Sequence, residues 1–522
     1  MTDTLDTHAD RQPAQTPASP PAAVPKDAAV VVLVRETSDD DGPVVFWAKR
    51  GARMAFQPGF YAFPGGQRDA EDAEVRVEGT DDAELSSMIA CAARELFEET
   101  GVLVARGADT LTRGQLASVL DDLTSGRMKF PELLGHYGLH LDARDFQFVG
   151  RWVTPPFSPR RFDTLFFLAR CPRKQEPRVL SGEFEEGGWT TAREAYGRWL
   201  RAEVVAAPPV IHAVRTLAEA GLGEGMLERF LTLPQARREP VRRIEFLPGF
   251  VCFPLRTPTK PPATTTNCYV VGTRDFIVID PASPYEDEQT ELHRFIDELL
   301  AEGRTLREIV ITHLHPDHVG GVNALREHLG GSVTVAAHRL TAEPLRGTVE
   351  VDRLIEDGDL IDLGDDPALA LRAMHTPGHT RGHLSFYEQR TGALITGDNI
   401  VGVGSVLIEL PEGDVGDYLR TLERYKSLPH LTALFGGHGP AVAAPRAKID
   451  EYIAHRLKRE RDILAAVRDG ARGEREIVAR VYTDVHPKMH ALAERAVAAH
   501  LAKLERDGLL DESAGEVSPA RG

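Results

Sequence analysis

Residues 309–318 read Ile309-Val310-Ile311-Thr312-His313-Leu314-His315-Pro316-Asp317-His318. The three branched apolar residues predict a buried strand, and His313 and His315, two apart, leave its end on the same side. Asp317 and His318 follow on the loop. A lone histidine is most often an ordinary core or surface residue. Three histidines and an aspartate within six residues are different, because polar ligands seldom crowd in this way without a cation to hold. Imidazole nitrogen and carboxylate oxygen suit Zn²⁺, with Mn²⁺ or Fe²⁺ as alternatives.

The same construction recurs downstream. Leu394-Ile395-Thr396-Gly397-Asp398 is an apolar strand ending in a carboxylate. Thr376-Pro377-Gly378-His379-Thr380 is a turn that exposes one histidine, and Phe435-Gly436-Gly437-His438-Gly439 sets another on a glycine-rich turn. The whole set resembles the binuclear hydrolase site of the metallo-β-lactamase superfamily, over roughly residues 246–445. That resemblance implies an αββα sandwich holding two Zn²⁺ per chain. His313, His315 and His379 would ligate the first ion, and Asp317, His318 and His438 the second, with Asp398 bridging. Two such cations lower the pKa of a water held between them, and Asp317 is placed to orient it or accept its proton. Asp280 matches a residue that backs a ligand from behind. His375 and His383, flanking the turn, are expected to be structural, and His338 an ordinary side chain.

A second motif lies upstream, in Arg94-Glu95-Leu96-Phe97-Glu98-Glu99-Thr100-Gly101. On a helix over 85–100, closed by Gly101, the carboxylates of Glu95, Glu98 and Glu99 lie near one face. Their repulsion is relieved by a divalent cation, and carboxylate oxygens suit Mg²⁺ or Mn²⁺; a solvated acidic helix end would read the same way. With Phe63-Pro64-Gly65-Gly66 and Glu71 upstream, the stretch resembles the Nudix box, R-E-x-x-E-E-x-G preceded by G-x5-E. It departs from that pattern in one respect: residues 72–93 intervene where the family has seven, which disturbs the pairing of Glu71 with Arg94. Pro58-Gly59-Phe60-Tyr61-Ala62, Trp152-Val153-Thr154-Pro155 and Arg161-Phe162-Asp163-Thr164 are similar to the peroxisomal coenzyme A diphosphatase branch. The resemblance covers about residues 27–235. It implies an α/β/α sandwich cleaving a nucleoside diphosphate linked to another group, with Glu95, Glu98 and Glu99 on the metal and Glu95 and Glu98 as catalytic candidates.

The remainder frames these two sites. A chain of 522 residues exceeds one core. Residues 1–26 are rich in Thr, Ala, Pro and Asp and lack an apolar segment, so they are expected to be a disordered tail without a targeting signal, which places the protein in the cytoplasm. No apolar run reaches membrane-spanning length. Cys91, Cys171, Cys252 and Cys268 form no C-x-x-C pair and read as buried thiols. Residues 236–245 read as a linker, and 446–515 as a mostly helical segment ending in an amphipathic helix over 493–510. From Arg446 to Glu512 there are 14 Lys and Arg against 13 Asp and Glu, so this part is near neutral in a chain of net charge −18. It resembles the winged-helix-like tail of the β-lactamase-like protein 2 group, whose animal members act on single-stranded RNA. The basic cluster His455, Arg456, Lys458, Arg459 and Arg461 would guide such a strand, although the overall acidity opposes nucleic-acid binding.

The expected architecture is therefore multidomain, α/β and α+β: a Nudix domain, a metallo-β-lactamase-type domain and a helical tail. The expected function is metal-dependent hydrolysis at two sites, acting on small molecules such as coenzyme A or nucleotide derivatives. Two alternatives are single-stranded RNA cleavage and a Nudix domain reduced to a ligand-binding regulatory module.

Overall fold

The computed structural model describes residues 23–36, 42–180, 182–233, 241–364, 368–483, 485–513 and 516–519. Most of the expected N-terminal tail and half of the linker lie outside them. Lys26 already belongs to a strand, and strand Ile244–Leu247 begins inside the stretch read as linker, so the second domain starts earlier than expected.

The first domain is built on strand Lys26–Arg35, whose run of small and β-branched residues serves two cores at once. Ala29, Val31 and Leu33 face helix Ala83–Thr100, whereas Val32 and Val34 face helices Ala192–Leu200 and Pro208–Ala220. This alternation makes the strand the centre of an α/β/α sandwich. It pairs in parallel with Phe162–Arg170 and antiparallel with Val44–Arg50 and Gly65–Gln67. The insertion is absorbed locally. Ala70–Glu74 forms a 3₁₀ turn, Val77–Glu78 pairs with Leu141–Asp142, and the acidic helix begins early, at Ala83, with Asp82 capping the backbone N–H groups of Glu84 and Leu85. The helix ends as expected at Gly101, in the left-handed region.

The second domain stacks two sheets. One runs Ile244–Leu247, Phe250–Arg256, Thr265–Val271, Asp275–Ile279, Thr305–Val310, Thr334–Ala337 and Arg353–Leu354; the other runs Leu360–Asp362, Ala370–His375, Leu384–Glu388, Ala393–Gly397 and Ala433–Gly436. Phe250, Tyr269, Ile277 and Ile279 of the first meet Leu371, Phe386, Ile395 and Phe435 of the second in a dry core. Helix Glu286–Ala301 covers one outer face and helix Val415–Lys426 the other, which completes an αββα sandwich. Asp275–Ile279 runs parallel to Thr305–Val310, and Ala393–Gly397 parallel to Ala433–Gly436. Within each pair the loops following the strands therefore open at a common end.

Helix Pro445–Arg468 belongs to two units: Ile449 and Tyr452 pack on the sandwich, and Ile463 and Val467 on the tail. In the tail, helices Gly473–Val481 and His490–Arg506 are followed by the hairpin Leu510–Ser513/Glu516–Pro519. The last helix thus stops at Arg506, short of the expected 510; Gly508 breaks it, and Leu510 starts a strand. Two of the five residues of the basic cluster, Arg456 and Arg459, are committed to packing, whereas His455, Lys458 and Arg461 are exposed. Arg456 is buried and donates to the Val406 carbonyl, Arg459 donates to the Val481 carbonyl and stacks on Tyr482, and Lys458 pairs with Asp462.

The two hydrolase domains also share a hydrophobic cluster. Phe60, Phe157 and Val205 of the first join Ile244, Phe246 and Leu247 of the second, and the Trp199 indole donates to the Phe246 carbonyl at 3.0 Å. At Gly59 the backbones approach so closely that a Cβ would fall 2.3 Å from the Ala443 carbonyl oxygen. All four cysteines are buried and free. Among the described residues no helix is long and apolar enough to cross a membrane.

Candidate active sites

Five of the seven ligand candidates of the second domain sit beyond a strand end, where the sheet hands the chain to a loop; Asp317 and His318 stand instead on the short helix Pro316–Val319, which His315 precedes, and not on the loop expected from the sequence. His313 and His315 follow Thr305–Val310, His379 follows Ala370–His375, Asp398 follows Ala393–Gly397, and His438 follows Ala433–Gly436. The structure brings all of them together. His315 Nδ1 lies 3.0 Å from His313 Nε2 and 2.9 Å from His379 Nε2. Two nitrogens bound to one tetrahedral zinc stand roughly 3.3 Å apart, so this trio has the spacing of a ligand set. Asp317, His318 and His438 form a second group, with ligand atoms within 4.8 Å of one another. Asp398 stands between the groups. Its Oδ1 faces His318 Nε2 at 3.4 Å, and its Oδ2 lies 3.2 Å from His438 Nε2 and 3.8 Å from His379 Nε2.

The opposite edges of the imidazoles are anchored. His379 Nδ1 meets the Leu407 carbonyl oxygen at 2.8 Å, and His438 Nδ1 meets that of Thr265 at 2.8 Å. His318 Nδ1 lies 2.7 Å from Asp280 Oδ2, a carboxylate held in turn by the Thr312 amide and hydroxyl. These contacts fix the tautomer and present Nε2 to the centre. His318 Nε2 and Asp398 Oδ1 are buried without a hydrogen-bond partner. Leaving such atoms bare is costly, and a cation would satisfy both. Gly437 keeps the centre open, since a Cβ there would lie 2.2 Å from Asp398 Oδ1. His383 accepts the Asp398 N–H at 3.1 Å, and His375 stacks on His338 at 4.2 Å, so all three are structural, as expected.

Electrostatics divides the two groups. Burial and the neighbouring imidazoles hold His313 well below the usual histidine range, and burial, aided by His315, brings His379 down to about 3. Burial also disfavours the charged forms of His318 and His438, but Asp398 (joined at His318 by Asp280) outweighs it and raises both. The first group is thus neutral and ready for a cation at neutral pH, whereas the second must release protons to accept one. Each released proton weakens binding about tenfold per pH unit of acidification. On lowering the pH from neutrality, the ion at Asp317, His318 and His438 is expected to leave first, so metal analysis across a pH series should show a one-ion plateau. Simultaneous loss of both ions would contradict this assignment.

In the first domain, Arg94 organises the acidic helix. It binds the buried Asp72 through two bonds of 2.9 Å, and its Nη1 also reaches Glu95 at 2.9 Å and Glu98 at 3.1 Å. The partner suggested by the family pattern, Glu71, instead lies at the surface, paired with Lys129. The frame has moved by one residue, so that Gly66 and Asp72 bracket the five residues. Glu99 is buried and accepts the Gly65 N–H at 2.8 Å. The three glutamates do not converge as tightly as the histidine groups: among the described residues no trio of their oxygens lies within 4.8 Å, because Arg94 draws on Glu95 and Glu98 and the loop on Glu99. Burial raises Glu95 to about 7, Glu98 above its ordinary value and Glu99 well above it. Glu183, which sequence reading did not single out, adds repulsion on Glu95 and Glu99; the acidic run around it was the available signal. Four neighbouring carboxylates, Glu95, Glu98, Glu99 and Glu183, with Arg94 shared between two of them, fit a hard divalent cation.

Residues 261–438 match the metallo-beta-lactamase superfamily model. A beta-lactamase-like protein 2 homolog of Caenorhabditis elegans is 32% identical over 248 residues, covering 47% of this chain and 80% of the nematode protein. The chain belongs to the metallo-beta-lactamase superfamily. Residues 78–217 match the NUDT19 Nudix domain, and 474–516 the beta-lactamase associated winged helix domain. An atrochrysone carboxyl ACP thioesterase of Pseudocercospora fijiensis is 31% identical over 42% of this chain and 62% of its own length. Among solved structures, a Nudix hydrolase of Alicyclobacillus acidocaldarius is 31% identical, covering 39% of this chain and 96% of its own, with a TM-score of 0.33. This member of the superfamily is therefore a hydrolase that carries a Nudix domain ahead of the metallo-β-lactamase domain and a winged-helix region behind it.

Proposed function

We propose that the chain degrades coenzyme A thioesters at two bonds: the metallo-β-lactamase site hydrolyses the thioester and the Nudix site the diphosphate. The observation that carries this reading is the presence of both hydrolytic residue sets in one chain. A coenzyme A thioester contains both bond types, and a thioesterase stands among the relatives. His313, His315, His379, Asp317, His318, His438 and Asp398 would hold two ions, Zn²⁺ suiting the donors best, and Glu95, Glu98 and Glu99 would hold Mg²⁺ or Mn²⁺. Bound there, such ions supply Lewis acidity and make water a nucleophile near neutral pH. Asp317, at the rim of its group and 3.6 Å from His438 Nε2, orients the attacking water and takes its proton. Glu95, held by burial at about 7, takes a proton at the Nudix site. The engagement of Arg456 and Arg459 in packing, together with the net charge of −18, weighs against RNA as the substrate.

Acetyl-coenzyme A incubated with the full chain, Zn²⁺ and Mg²⁺ is expected to give free thiol and 3′,5′-adenosine diphosphate, identified by mass spectrometry. Asp317→Asn should abolish thiol release and spare diphosphate cleavage, and Glu98→Gln should do the reverse. Unchanged substrate with the parent chain would overturn the coenzyme A reading. Thiol release without diphosphate cleavage would leave the Nudix domain as a binding module.

A further inference from the structure

Between the two hydrolase domains lies a cavity of about 1010 Å³. Its first-domain wall includes Glu95 and Gly66 of the Nudix site, the rings of Trp152 and Phe162, and Arg53 and Arg160. Its other wall belongs to the second domain: Phe246 from the first strand, Pro440 and Ala441 from the loop that carries His438, and Ala447 and Lys448 from helix Pro445–Arg468. The volume stands at the upper end of small-molecule sites, larger than a single nucleoside diphosphate needs. The walls are held together by the close approach of Gly59 to Ala443 and by the edge-to-face contact of Phe60 with Phe246 at 5.5 Å.

Charge inside this cavity is uneven. Lys448 is paired with Glu451 at 2.9 Å, and Arg50 with Glu183 at 3.8 Å. The guanidinium groups of Arg53 and Arg160 have no hydrogen-bond or ion-pair partner among the described residues. They stand on adjoining loops, joined by the contact of Phe56 with Phe162 at 5.0 Å. Two exposed guanidiniums on the cavity lining, without a partner among the described residues, suit an anionic group on a nucleotide.

We propose that the second domain completes the Nudix substrate site. The cavity is one composite pocket for a nucleoside diphosphate derivative, with the scissile diphosphate at the Glu95 side and a further phosphate of the same molecule held by Arg53 and Arg160. This assignment rests on the Nudix reading above and adds to it the identity of the far wall and of the phosphate anchor. It makes Ala447, exposed on a helix surface and far in sequence from the Nudix glutamates, a determinant of Nudix substrate binding.

Calorimetric titration of the full-length Glu98→Gln protein with coenzyme A and with its 3′-dephospho form tests the proposal without turnover. The protein is expected to bind coenzyme A about tenfold or more tightly than the dephospho form, as one charge-assisted contact would give. Arg53→Ala combined with Arg160→Ala should erase that difference and leave the dephospho form unaffected. In the same background, Ala447→Trp, which fills the pocket from the second-domain side, should weaken both ligands about tenfold or more. Ala447→Ser should bind as its parent does, and the thermal unfolding midpoint of the Ala447→Trp protein should match its parent, showing that the fold is kept. Unchanged affinities in Ala447→Trp would overturn the composite wall, and equal affinity for the two nucleotides in the parent would overturn the phosphate anchor. Failure of the parent to bind either one would instead remove the coenzyme A reading, and this pocket with it.

Discussion

Replacing Asp398 by alanine is expected to empty the metallo-β-lactamase site and lower its hydrolytic rate on the order of 10³-fold. One carboxylate serves both ligand groups here, with His318 and His438 on one side and His379 on the other. Its removal leaves two histidines with raised pKa values deprived of their counter-charge, so they lose what opposes burial and what would bridge two cations. If the ions contribute about 4 kcal/mol of charge stabilisation to the reaction, their loss corresponds to roughly that factor in rate. Metal analysis of the purified variant, and of His315→Ala with Asp398→Ala, checks the first half of the prediction. Retention of two ions per chain would remove the assignment of Asp398 as the shared ligand. The fold should survive, because the residue lies at a strand end and not between the sheets.

The second large effect is expected at Asp72. Its carboxylate is 1% exposed and its partner Arg94 is 7% exposed, so the pair is desolvated and neither charge has water to fall back on. Asp72→Ala removes two of the guanidinium's charge-assisted bonds, leaving it Glu95, Glu98 and the Gln67 carbonyl, and should cost about 3 kcal/mol of stability, since hydrogen bonds to charged groups contribute about 1.5–3 kcal/mol each. It should also impair the Nudix reaction, because Arg94 positions Glu95 and Glu98. Glu71→Ala, which removes only a surface contact to Lys129, is expected to fall within about 1 kcal/mol of the parent. Denaturant unfolding of the two variants decides between them, and equal destabilisation would restore Glu71 as the partner of Arg94.

The contrast between these two sites shows what was legible in the chain. Most metal-ligand candidates of the second domain were readable because a short turn or none separates each from an apolar strand, whereas the helix that carries Asp317 and His318 was read as a loop. His383 and His375 were also separable from the ligands, since they flank the turn that carries His379. The Nudix partner was not readable: Glu71 and Asp72 are adjacent carboxylates, and which one turns inward depends on how the 3₁₀ turn Ala70–Glu74 closes over Arg94. Similarly, the run 493–510 reads as one amphipathic helix, but the left-handed backbone at Gly508 ends it, and pairing of Leu510 with Pro519 makes the last residues a strand.

Local pattern thus determined by itself the apolar strands whose ends lead to the histidines and Asp398, and the acidic helix, because each follows from the spacing of neighbours; the two hydrolase domains were legible only through their resemblance to known families. Only tertiary structure decided which carboxylate holds Arg94, that Arg456 and Arg459 are engaged in packing, and that Ala447 shares a cavity with Glu95. Those outcomes depend on which distant segments exclude water from one another, and contacts of that kind leave no periodic trace in the chain.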